Sequence, residues 1–94
     1  MIFMAEVIVK LKIMPMSPDT DLKKLEEFCR LKFTENKAKF HSVSVEEVAF
    51  GLKALVFVIF GDENALNLDV LEAAIKESKD VSTTDVIDVR RAIG

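Results

Sequence analysis

The sequence predicts an α+β fold in which strands and helices follow one another in the order β-α-β-β-α-β. Four short segments are rich in β-branched residues or alternate between apolar and polar residues, which is typical of strands. Two further segments place apolar residues at helical spacing and begin with residues that cap helices. The chain has 94 residues, the length of one domain, so we assign residues 1–94 to a single domain.

The first predicted strand runs from Glu6 to Met14 and alternates between two faces. Period-two alternation with one apolar face indicates a half-buried strand. Pro15 ends the strand, because proline has no N–H to donate to a neighbouring strand. The apolar face consists of Val7, Val9, Leu11 and Ile13, and the other face of Ile8, Lys10, Lys12 and Met14.

The first helix is predicted to open in the segment Ser17-Pro18-Asp19-Thr20-Asp21, with Ser17 or Asp19 as its cap. It should run to about Phe33, and Thr34-Glu35-Asn36 should end it. Its apolar stripe contains Leu22, Leu25, Phe28 and Cys29.

The second strand, Phe40 to Val48, is the most polar, which favours a sheet edge. Its alternation predicts one face with His41, Val43 and Val45 and another with Ser42, Ser44 and Glu46.

The chain then turns at Phe50-Gly51 into a third strand, Leu52 to Phe60. Gly51 frees the backbone for a turn and leaves Phe50 on the bend beside it. The third strand is apolar on both faces and therefore belongs in the middle of the sheet. Since helices can cover only one face, its second face should meet other side chains of this chain or a partner.

Asn67 is the expected N-cap of the second helix, which should end near Lys79-Asp80. Its buried side should contain Leu68, Leu71, Ala74 and Ile75. The last strand is predicted from Val81 to about Val89, with Ile87 and Val89 on one face and Val86 on the other.

These six elements predict a ferredoxin-like sandwich, a four-stranded antiparallel sheet in the order 4-1-3-2 with both helices on one face. The first and third strands, which are the most apolar, take the two central places.

Composition narrows the classes of partner. The formal net charge is −3 with both signs interspersed, whereas nucleic-acid binders usually carry a basic excess. We therefore expect protein partners and no direct contact with nucleic acid. No apolar run reaches the ~20 residues of a membrane span, so we expect no membrane association. A single cysteine cannot form an internal disulfide, which favours the cytoplasm. Either Met1 or Met4 can be the native start.

The sequence contains few features that are typical of an enzyme. It contains no phosphate loop, no dinucleotide-binding glycine pattern and no HExxH motif. Cys29 lies on the apolar helix stripe and reads as a buried structural thiol, and His41 reads as a partly exposed sheet residue. The acidic pairs Glu46-Glu47 and Asp62-Glu63 are interpreted as solvated strand ends. We expect no enzyme activity, no cofactor and no resident metal.

Four blocks of the chain resemble archaeal elongation factor 1-beta, a family related to the C-terminal exchange domain of the eukaryotic factor. The resemblance begins near Ala5 and covers nearly the whole chain. The blocks are VIVKLKIMP from Val7, SPDTDL from Ser17, VAFGLKAL from Val48 and VIDVRR from Val86.

The resemblance implies a guanine-nucleotide exchange domain whose partner is the translational GTPase elongation factor 1-alpha. It also implies a site. Phe50 lies where the eukaryotic domain presents an aromatic residue between two glycines, although Ala49 replaces the first glycine here. Gly51 and Lys53 belong to the same block and are assigned to partner binding. The eukaryotic domain places a lysine near its C-terminus to disturb the Mg²⁺ site of the GTPase. This chain has no lysine after Lys79, so Arg90 and Arg91 are the cations available for that place.

Two other readings remain open at this point. The first is a small regulatory domain of the same topology that binds an amino acid or a similar effector. The second is a small enzyme that uses His41 or Cys29. For Phe50, the alternative to partner contact is a side chain folded onto its own domain, and for one of the arginines it is a solvated strand end.

Overall fold

The computed structural model describes residues 6–92, apart from the side chain of Ala92, and confirms the predicted order of elements. Short connections join the elements, and a three-residue bend at 49–51 joins the second strand directly to the third. The elements are β1 (Glu6–Pro15), α1 (Leu22–Glu35), β2 (Ala38–Glu47), β3 (Lys53–Asp62), α2 (Leu68–Lys76) and β4 (Val81–Ala92). The possible start residues Met1 and Met4 lie outside the described residues.

The four strands form one antiparallel sheet in the order β2-β3-β1-β4, which confirms the predicted order 4-1-3-2. The two central strands pair without a register shift from Glu6 to Ile13, with Val9 opposite Ile59 and Leu11 opposite Phe57. Both helices pack on one face, so the domain is a two-layer sandwich with one face of the sheet uncovered by helices.

The hydrophobic core lies between the sheet and the two helices. The ring of Phe33 in α1 stands edge-on against the ring of Phe57 in β3, with centroids 4.9 Å apart and an interplanar angle of 79°. Such aromatic pairs contribute about 0.5–1.5 kcal/mol beyond the area they bury. The other core residues with little or no exposure include Val9, Leu11, Ile13, Leu25, Cys29, Leu55, Ile59, Leu71 and Ile75.

The cap of α1 corrects the prediction. Asp21, rather than Ser17 or Asp19, is the N-cap, and its Oδ1 accepts from the N–H groups of Lys23 at 3.0 Å and Lys24 at 3.2 Å. The hydroxyl of Ser17 instead accepts from the N–H of Asp19 and stabilises the turn before the helix.

Both helices end elsewhere than predicted. In α1 the residues Thr34 and Glu35 are still helical, and Asn36 caps the end by donating Nδ2–H to the carbonyl of Lys32 at 2.8 Å. In α2 the predicted N-cap Asn67 is confirmed, but the helix ends at Lys76. It stops early because Ser78 begins a turn, in which its hydroxyl accepts from the N–H of Asp80 and its carbonyl from the N–H of Val81.

A register shift corrects the predicted faces of β2. The pairing of β2 with β3 slips between Phe40 and Ser42, so one residue is extra there. His41 therefore does not share a face with Val43. Its ring lies 4.9 Å from that of Phe60 on the face away from the helices, whereas Phe40 and Val43 pack against the core.

The pairing of β4 with β1 also shifts its register, between Lys10 and Leu11. This shift places Ile87 and Val89 on different faces of the sheet. Val89 lies opposite the core residue Val9 and Val86 lies opposite Leu11, so these two valines share the helix-bearing face. Ile87 is the extra residue, and it faces the other side beside Lys10. The prediction that Ile87 and Val89 share a face was wrong, because strict alternation fails at a bulge.

The uncovered face of β3 is partly covered by this chain's own side chains. Ala54 and Val56 point away from the helices yet are buried. The Lys12 ammonium of β1 and the Glu46 carboxylate of β2 meet at 3.4 Å, so the pair reaches across β3. Within the described residues, neither helix is long and apolar enough to span a membrane.

Candidate functional site

The bend between β2 and β3 is closed by two backbone hydrogen bonds and holds two left-handed residues in succession. The N–H of Val48 donates to the carbonyl of Leu52 at 2.8 Å, and the N–H of Leu52 donates to the carbonyl of Ala49 at 3.3 Å. Phe50 has φ 61° and ψ 33°, and Gly51 has φ 77°. The sequence pointed to Gly51 as the residue with unusual backbone freedom, and the structure adds Phe50.

Phe50 is unfavourable at this position on two counts. Its side chain is 95% exposed, so it is not folded onto its own domain. A left-handed conformation in a non-glycine residue costs about 1–2 kcal/mol. Strained residues of this kind are concentrated at functional sites, where the strain is part of the mechanism.

Gly51 is required by conformation rather than by space. A Cβ added at Gly51 would meet no atom within 4 Å, so a side chain has room there. Its φ of 77° disfavours any other residue, since residues with a side chain rarely adopt that backbone conformation.

Lys53 begins β3 directly after the bend, and its side chain is exposed. Together with Gly51 it lines an open groove of about 450 Å³ that separates the bend from the β1–α1 loop. The loop side of this groove was not singled out from the sequence, although two prolines at a strand end mark a rigid loop. The lining residues on this side are Ser17, Pro18 and Thr20 of the loop, with Pro15 at the end of β1 and Leu22 at the start of α1. The structure thus brings Phe50, Gly51 and Lys53 together.

Arg90 and Arg91 lie at the other end of the sheet. They pair with Ile8 and Val7 at the start of β1, whereas the bend lies beyond the end of β1 where Ile13 pairs with Leu55. From Ile8 to Ile13 alone the strand spans about 17 Å. The two predicted parts of the site are therefore separate surfaces at opposite ends of the sheet.

The two arginines also point to opposite faces. Arg91 lies opposite Val7, which packs against the core, and its guanidinium binds the Glu63 carboxylate through Nε at 3.1 Å and through Nη2. Arg90 lies opposite Ile8 on the face away from the helices, and its Nε donates to Asp88 at 2.8 Å. Both ion pairs are exposed and hold the side chains only weakly.

Of the two candidate catalytic residues, Cys29 is buried and His41 lies at the surface. Cys29 is buried in the core, and burial, with a smaller contribution from the Glu26 carboxylate, raises the pKa of its thiol from 9.0 to about 12. The thiol is therefore protonated and shielded, the opposite of a nucleophile. The Nδ1 of His41 lies 3.2 Å from the hydroxyl of its neighbour Ser42 on the surface. Across residues 6–92, no group of three or more His, Cys, Asp or Glu side chains is placed to hold a metal ion.

The fold and the bend define a small α+β domain that displays a strained aromatic side chain at one end of its sheet. Residues 8–92 match the family model of the EF-1 guanine nucleotide exchange domain, and the chain belongs to this family. This match confirms the resemblance drawn from four sequence blocks.

Several archaeal proteins named elongation factor 1-beta are similar over nearly their full length. The Methanobrevibacter smithii protein is 35% identical over 88 residues, covering 94% of this chain and 98% of the relative. The Methanothermobacter thermautotrophicus protein is 36% identical over 89 residues, with coverages of 94% and 98%. The Natronomonas pharaonis protein is 36% identical over 88 residues, with coverages of 94% and 99%.

Proposed function

We propose that this protein promotes the exchange of GDP for GTP on the translational GTPase elongation factor 1-alpha. Membership of the exchange-domain family supports the class of activity. The observation that carries the proposal in this molecule is Phe50, a large apolar side chain held exposed in a strained conformation. A buried partner pocket would compensate for both costs, and aromatic side chains in such pockets dominate binding energies.

The proposed action is a shift of equilibrium and breaks no covalent bond. An exchange factor accelerates release of GDP by binding the nucleotide-free GTPase more tightly than the GDP-bound form. A ligand with equal affinity for both forms would shift nothing, however tightly it bound. The GTPase holds GDP through contacts to the phosphates and to Mg²⁺, so a cation brought to the Mg²⁺ site would weaken the hold on the diphosphate.

The two ends of the sheet suit two separate roles in this action. The bend with Phe50, Gly51 and Lys53 offers an apolar anchor with a cation beside it, which suits a docking contact. Arg90 and Arg91 offer positive charge at the other end, which suits the phosphate and Mg²⁺ region. The guanidinium of arginine is planar and prefers bidentate hydrogen bonding to an anion. A phosphate or a carboxylate ligand of Mg²⁺ therefore fits it best.

The test is the rate at which fluorescent GDP leaves elongation factor 1-alpha in an excess of unlabelled nucleotide. Substoichiometric amounts of this protein should accelerate release, and Phe50→Ala should remove most of the acceleration. Leu31→Ala is the matched control, because Leu31 is an exposed apolar residue on α1. Release that stays at its spontaneous rate with saturating wild-type protein would refute the proposed function.

A further inference from the structure

The proposed function leaves open which face of the sheet lies against the GTPase. We infer that it is the face without helices, centred on a groove that crosses all four strands at Ser44, Val56, Lys10 and Ile87. This inference rests on the proposed function, since it names the surface through which the same partner is bound. The occupant is the GTPase, presenting an aliphatic side chain next to a carboxylate.

The positions of the two end contacts favour this face. The bend and Arg90 lie at opposite ends of the same sheet. Arg90 points to the side of the sheet away from the helices. On the opposite side the helices add a layer about 10 Å thick, which a partner would have to cross before reaching the sheet ends. Arg91 is the arginine on that side, and like Arg90 it makes one exposed ion pair. A partner that touches both the bend and Arg90 therefore meets the helix-free face on the way.

The groove has an apolar floor. It encloses about 330 Å³ and is lined by residues of every strand, with Val56 of the central strand β3 beneath it. Ile87 forms its edge on β4 and is 45% exposed. The β4 bulge turns Ile87 towards the groove. The floor matches an aliphatic side chain of a partner.

The charges around the groove favour an acidic partner group. On one side of the groove, the charges of Lys12 and Glu46 compensate each other in an ion pair. Asp88, which lies opposite Lys10 on β4, is paired with Arg90. Lys10 is exposed and takes part in none of the ion pairs found between residues 6 and 92. Its ammonium is thus the uncompensated charge at the groove. A carboxylate beside the inserted aliphatic group would pair with it.

The test is the dissociation constant of the complex with nucleotide-free elongation factor 1-alpha, measured by titration calorimetry with the chain of 94 residues. Ile87→Glu should weaken binding at least tenfold, and Lys10→Glu at least fivefold, because both place negative charge at a surface selected for carboxylates. Leu31→Glu on the outer side of α1 is the matched control, with 56% exposure, and should change binding less than twofold. Circular dichroism checks that each variant is folded. If Ile87→Glu does not fold, the dissociation constant of Lys10→Glu alone tests the inference.

The outcomes separate this inference from the proposed function. If the wild-type protein accelerates GDP release but Leu31→Glu weakens binding while Ile87→Glu and Lys10→Glu do not, the helical face is the contact surface and the inference is wrong. If the free protein sediments as a dimer that Ile87→Glu dissociates, with GTPase binding unaffected, a second copy occupies the groove and the inference is again wrong. If the wild-type protein neither binds nor accelerates release, the proposed function itself fails.

Discussion

Phe50 and Arg90 lie at opposite ends of one sheet, and more than about 17 Å of paired strand separates them. A single small pocket on a partner cannot hold both. Any protein that uses both residues must offer two contact regions spaced along its surface, and a substitution at one end should leave the contact at the other end in place. The effects of Phe50 and Arg90 substitutions on the binding free energy should therefore be nearly additive.

The two arginines should differ in their importance for exchange. Arg90→Ala should slow accelerated GDP release several-fold, whereas Arg91→Ala should have the smaller effect, because Arg91 points to the helical side of the sheet and Arg90 to the opposite side. Replacing both together should slow release at least as much as Arg90→Ala. Release rates measured at several concentrations of each variant test this order. Equal losses for the two single variants would show that the face of the side chain does not matter.

Phe50→Asn should separate stability from function. Asparagine tolerates the left-handed conformation that Phe50 adopts, so the free energy of unfolding should rise by about 0.5–1 kcal/mol. Exchange activity should fall, because the aromatic anchor is lost. Urea unfolding gives the first quantity and GDP release the second. Phe50→Ala serves as the control, since alanine keeps the strain, and a gain of similar size with alanine would contradict the explanation.

Gly51→Ala should lower the free energy of unfolding by about 1 kcal/mol. The added methyl group meets no neighbour within 4 Å, so the cost arises from the φ of 77° alone. Thermal unfolding of the two proteins under the same conditions measures the difference. An unchanged midpoint would mean that the bend relaxes to another conformation.

The cap of α1 can be tested with two neighbouring aspartates. Asp21→Ala should destabilise the domain by about 1 kcal/mol, because the N–H groups of Lys23 and Lys24 lose their acceptor. Asp19→Ala, which removes an exposed carboxylate outside the helix, should stay within about 0.5 kcal/mol of the wild type. Denaturant titration of the pair provides the measurement, and a larger loss at Asp19 would restore the prediction made from the sequence.

Stability should fall in alkaline solution as the Cys29 thiol titrates. Burial, with a smaller contribution from Glu26, raises its pKa from 9.0 to about 12. Between these values the unfolded chain loses the proton while the folded chain keeps it. The unfolded state therefore binds fewer protons, and the free energy of unfolding decreases as pH rises, by up to about 1.4 kcal/mol per pH unit.

The variant Cys29→Ala isolates this contribution, because it removes the thiol and leaves the other titrating groups in place. The difference in free energy of unfolding between wild type and variant should be nearly constant below about pH 8 and should change in favour of the variant above it. Parallel curves up to pH 11 would show that the thiol ionises equally well in the folded state.

The sequence alone determined the order of the elements, the place of each strand in the sheet and most of the core. It could do so because these properties depend on periodicity: Val9, Leu11 and Ile13 alternate along a strand, and Leu71 and Ile75 recur along a helix. It also indicated the bend, since Gly51 stands between a polar strand and an apolar one, and the family blocks around it. Tertiary structure alone decided the faces of His41 and Ile87, because a bulge arises from pairing with a neighbouring strand and leaves no local pattern. It alone placed Phe50 and Arg90 at opposite ends of the sheet and turned Arg91 towards Glu63, because such relations follow from strand register, in which residues far apart in the chain are brought together.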